Sequence, residues 1–172
     1  MGLSIVGIAT WSLVEYALHR FVLHGLRPFS DWHAAHHRHP TALICTPTIL
    51  SVALMVSLVF VPALALTNLW HAGGLTFGML SGYLAYTLTH HAMHHGRVAG
   101  SWLKGLRRSH ALHHATGSGY YGVTSTFWDH VFRSDRMAQG HGGRRAPNAD
   151  EHELKGFKHR DSNDARHHHD GG

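Results

Sequence analysis

Carboxylates are scarce in this chain of 172 residues: up to Arg136 it holds only Glu15, Asp31, Asp129 and Asp135. That scarcity argues against a carboxylate-bridged dimetal centre, which draws paired Glu and Glu-x-x-His elements from several helices. Cysteine is nearly missing as well. With Cys45 alone there is no intrachain disulfide framework, no C-x-x-C redox pair and no cysteine-held zinc or iron–sulfur site within one chain. Charge of either sign is absent from the 58 residues between Arg38 and Arg97. A buried helix of a soluble protein needs far fewer, so this stretch reads as membrane sequence.

The uncharged stretch divides into two apolar segments, 42–66 and 75–89, joined by residues 67–74, which read as a turn carrying an interfacial Trp70. At about 1.5 Å per residue each segment crosses, or nearly crosses, a hydrocarbon core of about 30 Å. A third apolar stretch, 3–18, has no basic start and no small-residue cleavage site, and Glu15 interrupts its last turn; it reads as a short membrane helix. The expected fold is an all-α integral membrane protein whose helices carry a helical cap with a histidine-rich dimetal site. The net charge of +5 resides in the first 136 residues, on Arg20, Arg27, Arg38, Arg97, Lys104, Arg107, Arg108, Arg133 and Arg136. These flank the apolar segments at one end, which places that end in the cytoplasm. Lys104, Arg107 and Arg108 suit anionic lipid head groups, and no nucleic-acid partner is expected. Two units follow, a membrane-embedded catalytic domain over 1–136 and a polar, disordered tail over 137–172.

Histidine is what the chain has in excess, 21 residues. Before the tail they form four groups: His19 and His24; His33, His36 and His37; His90, His91, His94 and His95; and His110, His113 and His114. The first two groups follow the end of the first helix. The second helix departs from them, and the third returns to the last two, so all four meet at one membrane face. In H-x-x-H-H the first, fourth and fifth residues share one helical turn, so three imidazoles can converge. His90/His94 and His91/His95 are equivalent i, i+4 pairs rotated by about 100°, and spacing does not choose between them. His19 and His24 lie about 140° apart on an ideal α-helix, which suits two metals better than one. Ten converging histidines exceed the four ligands of a structural zinc and point to two metals with positions left for other ligands. Imidazole alone does not name the metal.

The motifs HRFVLH at His19, HAAHHRHP at His33, YTLTHHAMHHG at Tyr86, HALHH at His110 and GYYGVTSTFWDHVF at Gly119 resemble the membrane fatty acid hydroxylase and sterol desaturase superfamily. The last motif resembles fatty acid 2-hydroxylases most. The resemblance implies two iron ions, which zinc can displace, held by His19, His24, His33, His36, His37, His90, His94, His110, His113 and His114. His91 stands where these hydroxylases commonly have an aromatic residue, which favours the His90/His94 pair; His91, His95 and Asp129 are then supporting groups. The implied activity is that of an O2-dependent lipid monooxygenase acting on a long acyl chain, with C2 as the suggested position. No cytochrome b5-like segment is legible, so electrons are expected from an external donor, a ferredoxin or a cytochrome b5-type protein with its reductase. The family pattern has two membrane hairpins, whereas a single helix precedes the first box here, so either the site is supported differently or the start is abbreviated. A carotenoid or sterol hydroxylase or desaturase is the nearest alternative. A histidine-rich metal-binding or transport protein is the alternative of another class, although transporters usually place ligands near the bilayer midplane on broken helices. His39, His71, His130 and the tail trio His167, His168 and His169 are expected to lie outside the site.

Overall fold

Long apolar runs without breakers become helices, and the computed structural model, which describes residues 2–42, 48–96 and 99–137, has no strand among them. Helix α1 (Gly2–Ala17) continues into a π-helical turn, Leu18–Leu23, and is followed by α2 (Phe29–Arg38). The next run comprises α3 (Thr48–Met55), a second π-helical turn (Val56–Phe60) and α4 (Val61–Leu66). Pro62 has no N–H to donate to the preceding turn, and the π-helical turn before it absorbs that loss without ending the run. Helix α5 (Leu69–His95), α6 (Ser101–Thr116) and α7 (Phe127–Val131) complete the order. The polar tail beyond residue 137, Cys45 and Arg97 lie outside the described residues.

Among the described residues one helical run, Ile49–Leu66, is long and apolar enough to cross a membrane, where three crossings are expected from the sequence. The other two segments are less apolar for a structural reason. They pack on each other through small residues, and their ends carry Glu15 and the histidines. A Cβ on Gly7 would meet the carbonyl oxygen of Leu75 at 2.4 Å, and one on Gly82 would meet the Trp11 ring at 2.5 Å. At Gly78 it would meet the carbonyl oxygen of Ser4 at 2.1 Å. Gly74, Gly78 and Gly82 recur every four residues and so form one stripe along α5, the small-residue packing that lets helix backbones touch in lipid. The contacts advance in the same direction along both chains, so α1 and α5 run parallel and end together. Trp11, Met55 and Met79 form the core between them, with Val14, Val59, Leu80, Tyr83 and Tyr86 packed around it.

The connection read as a turn over 67–74 is shorter than expected. Asn68 caps α5, its side-chain oxygen accepting from the His71 N–H at 3.0 Å, so Trp70 through Gly74 are already helical. At the far end α5 extends through His95, as its histidines allowed.

Candidate metal centre

The ends of α1 and α5, with α2 and α6, deliver ten histidines into two groups of five. His19, His24, His33, His37 and His113 form the first, and His36, His90, His94, His110 and His114 the second; within each group the ligand atoms lie within 4.8 Å of one another. These are the ten histidines singled out from the sequence. Each H-x-x-H-H box, however, divides between the groups instead of converging on one point. On α2, His33 and His37 enter the first group and His36 the second; on α6, His110 and His114 enter the second and His113 the first. The cause is helix geometry. Residues i and i+4 are nearly in line, while i+3 falls on the other side of that line. His37 and His114 stack at 4.2 Å with planes 16° apart, joining the two groups.

His19 and His24 depart from expectation too, because both belong to the first group, with ring centroids 5.3 Å apart. Their divergence was derived for an α-helix. The turn over Leu18–Leu23 is π-helical, and hydrogen bonding from i to i+5 brings residues five apart onto one side. On α5 the choice left open by spacing falls to His90 and His94. His91 and His95 are exposed and stack on each other at 4.6 Å. His39, His71 and His130 are exposed and outside both groups.

The donor atoms show what the groups suit. In the first, Nε2 atoms approach at 3.0 Å between His19 and His33, 3.0 Å between His33 and His37, and 3.1 Å between His24 and His113. In the second, His90 lies 3.1 Å from His36 and 3.2 Å from His94, and His110 lies 3.0 Å from His94 and 3.1 Å from His114. Two nitrogens at right angles about a metal roughly 2.1 Å away are separated by about 3.0 Å, whereas a tetrahedral pair would be about 3.4 Å apart. Five imidazoles at the shorter spacing suit a metal with more than four ligands, not a closed tetrahedral zinc. Burial pushes His24 and His36 down to about 4, His113 to about 3 and His114 to about 2. All four are therefore neutral at pH 7, the state that coordinates metal.

A loop after α6 supports the first group. Gly117 and Gly119 have φ of +67° and +73°, a left-handed backbone that favours glycine, and they turn the chain back over the histidines. His113 Nδ1 then donates to the Gly119 carbonyl and His19 Nδ1 to the Tyr121 carbonyl, both at 2.6 Å. Since a carbonyl can only accept, the tautomer of both rings is decided and each Nε2 lone pair faces into the group.

Two buried carboxylates hold the same loop from its other side. Glu15 Oε1 accepts from the N–H groups of Val123 and Thr124 at 2.7 and 2.8 Å, and its Oε2 from the Thr124 hydroxyl. Asp129 accepts from the N–H groups of Tyr121 and Gly122, both at 2.8 Å, and from the Ser134 hydroxyl at 2.7 Å. Burial pushes the Asp129 carboxyl above its ordinary value, while these three bonds draw it back. Asp129 bonds no histidine directly; it reaches His19 through the peptide between Tyr121 and Gly122. Glu15 escaped the sequence reading as anything but an interruption. A lone carboxylate in an apolar helix, four residues before a histidine box, is the signal that could have found it.

The flanking aromatic segment lies on α1. Trp128 Nε1 donates to Ser12 Oγ at 3.1 Å, and Phe132 stacks on Tyr16 at 5.3 Å. Phe127, Val131 and Phe132 remain exposed. On α6, Lys104 and Arg108 are exposed, whereas Arg107 donates to the Gly96 carbonyl at 3.4 Å.

Comparison with known proteins agrees with this geometry. Residues 4–134 match the family described as fatty acid hydroxylase. The chain is 36% identical over 143 residues to the dihydroceramide fatty acyl 2-hydroxylase FAH2 of Arabidopsis thaliana, covering 73% of this chain and 57% of that protein. It is 33% identical over 149 residues to the fatty acid 2-hydroxylase of Homo sapiens, covering 77% and 39%. Among solved structures it is similar to full-length scs7p, of which only the hydroxylase domain is visible, with a TM-score of 0.62, 31% identity and coverage of 77% and 54%. The chain thus spans between about two fifths and three fifths of the length of these curated relatives.

Proposed function

This chain belongs to the fatty acid hydroxylase family, and on that premise we propose that it is a membrane monooxygenase that hydroxylates a long-chain fatty acyl lipid, at C2. The observation that carries the reading is the pair of five-histidine groups at the shared end of α1 and α5. Hydroxylation of a C–H bond by O2 puts one oxygen atom into the product and releases the other as water, consuming two electrons and two protons. We assign the electrons to an external carrier, a ferredoxin or a cytochrome b5-type protein with its reductase. Two iron ions, one in each group, would supply the activation of O2 that no side chain here can perform. Zinc, which stands above ferrous iron in affinity for such sites, is the metal that would displace iron.

The protein's own contribution is positional. His19 and His113, tied at Nδ1 to the loop carbonyls, present Nε2 inward and cannot rotate away. Met93, Leu106 and Val123 pack beside the histidines as a dry core that excludes water from one side. His24, His37, His90, His94 and His114 are half-buried, leaving a flank open to substrate and O2. The apolar side chains exposed on α1 and α5, among them Ile5, Ile8, Phe77, Leu84 and Leu88, face lipid in this reading. An acyl chain then reaches the helix ends from within the bilayer. The basic residues gathered near those helix ends in the sequence support a site at the cytoplasmic face.

Lipid analysis tests the proposal. Cells expressing the protein under 18O2 are expected to accumulate 2-hydroxy acyl lipids carrying one labelled oxygen, and cells expressing His36→Ala are expected to lack them. Purified protein holding two iron ions, given electrons and O2, that oxygenates no acyl chain would overturn it. So would one tetrahedral zinc per chain in X-ray absorption.

A further inference from the structure

The two histidine groups are alike in donor number but not in what stands behind them. In the first, His19 and His113 each donate a ring N–H to a loop carbonyl at 2.6 Å. The His19 bond has a further connection. The Tyr121 carbonyl and the Gly122 N–H are two ends of one peptide group, and that N–H donates to Asp129 at 2.8 Å. A negative carboxylate at one end of a peptide polarises it, and the oxygen at the other end becomes a stronger acceptor. His19 N–H is then held more tightly and its opposite nitrogen becomes more basic, the effect that a carboxylate exerts directly in carboxylate–histidine–metal triads.

The hydrogen bonds to Asp129 favour its charged form, against the burial and the neighbouring Asp135 that disfavour it. Asp129 is fully buried, and the two N–H groups that it faces can only donate. Its remaining partner, Ser134, also donates to it and lies 3.0 Å from the Tyr16 hydroxyl, onto which Arg20 Nη1 donates at 2.6 Å. Every proton in this row points towards Asp129, and the half-buried Arg20 guanidinium at its outer end supplies the compensating charge.

From this geometry we infer that Asp129 is a positioning residue acting on His19 through the Tyr121–Gly122 peptide, and that it strengthens metal binding in the first histidine group and not in the second. The inference rests on the reading that each group holds one metal. Glu15 fixes the neighbouring peptides of the same loop but touches neither peptide whose carbonyl meets a histidine, so its part is mechanical. The second group has no equivalent: His110 and His114 Nδ1 are buried with no hydrogen-bond partner among the described residues.

The test is Asp129→Asn in the full chain, loaded with zinc as a stable probe and equilibrated with graded chelator. The native protein should bind two ions, which checks the underlying reading separately. In Asp129→Asn one ion should be released at about tenfold to hundredfold lower chelator strength while the other is unchanged. Nitrogen-selective NMR adds a readout that general loosening would not produce. The His19 Nδ1–H resonance should move, and that of His113, whose carbonyl partner belongs to another peptide, should stay. If Asp129→Asn does not fold, Asp129→Glu, which keeps the charge but moves the carboxylate off the Gly122 N–H, should shift the same ion in the same direction. Loss of both ions in parallel, movement of both resonances together, or release curves identical to the native protein's would each overturn the inference.

Discussion

A single methyl group on Gly78 should separate the two helices that carry the site. Its Cβ would lie 2.1 Å from the Ser4 carbonyl oxygen and 2.8 Å from the carbon of that carbonyl, where ordinary contact begins at 3.4 Å. Both obstacles are backbone, so no rotamer relieves them, and α1 must retreat from α5 by about 1 Å or tilt away. Overpacking of this kind costs about 1–3 kcal/mol. The higher helix propensity of alanine, about 1 kcal/mol, offsets only part of it. The shift also reaches the chemistry, because α1 leads to Glu15 and His19 while α5 carries His90 and His94. A misplacement of about 1 Å costs on the order of a hundredfold in rate. Gly73→Ala supplies the control, since it makes the same change on the same helix with nothing within 4 Å of the new atom. Thermal unfolding in detergent, metal content and lipid hydroxylation should all fall for Gly78→Ala, while Gly73→Ala is neutral or stabilises by up to about 1 kcal/mol. Equal effects of the two variants would refute the close helix contact.

On the same helix, His94→Ala should abolish turnover and lower metal content, whereas His91→Phe, at an exposed ring outside both groups, should retain both; metal analysis beside the activity assay checks the pair. Acid should release the metal and destabilise the fold. His24 and His36 titrate near 4 in the folded chain and near 6.5 when unfolded, so between those values the unfolded state binds more protons and stability falls as pH falls. The unfolding midpoint of the metal-free protein, followed from pH 8 to pH 4, should stay level above about 6.5 and decline below it, while the folded protein should release metal only as pH approaches about 4. Asn68→Ala should cost about 1 kcal/mol by removing the cap on α5, without altering metal content, as read by thermal unfolding.

Much of this protein is legible in the order of its residues. The uncharged stretch, the histidine spacings and the basic residues gathered at one end are local or periodic properties, and they lead to helices and to histidine groups at the helix ends; the choice of ten among those histidines came from the resemblance of the motifs to a family. What they could not decide was how those histidines divide. That depended on a π-helical turn at Leu18–Leu23, which α-helical spacing does not anticipate, and on how α2 and α6 meet the site, where the first and fifth residues of one box enter one group and those of the other box the second. The glycine stripe of α5 went unread in the sequence, because its meaning requires the partner helix to be in place. Asp129 was noticed as a group that could orient a histidine, yet its route through a peptide exists only once residues 19, 121 and 129 are adjacent. Spacing along a helix is set by the chain itself; contacts between residues a hundred positions apart are set by packing, and only the tertiary structure contains them.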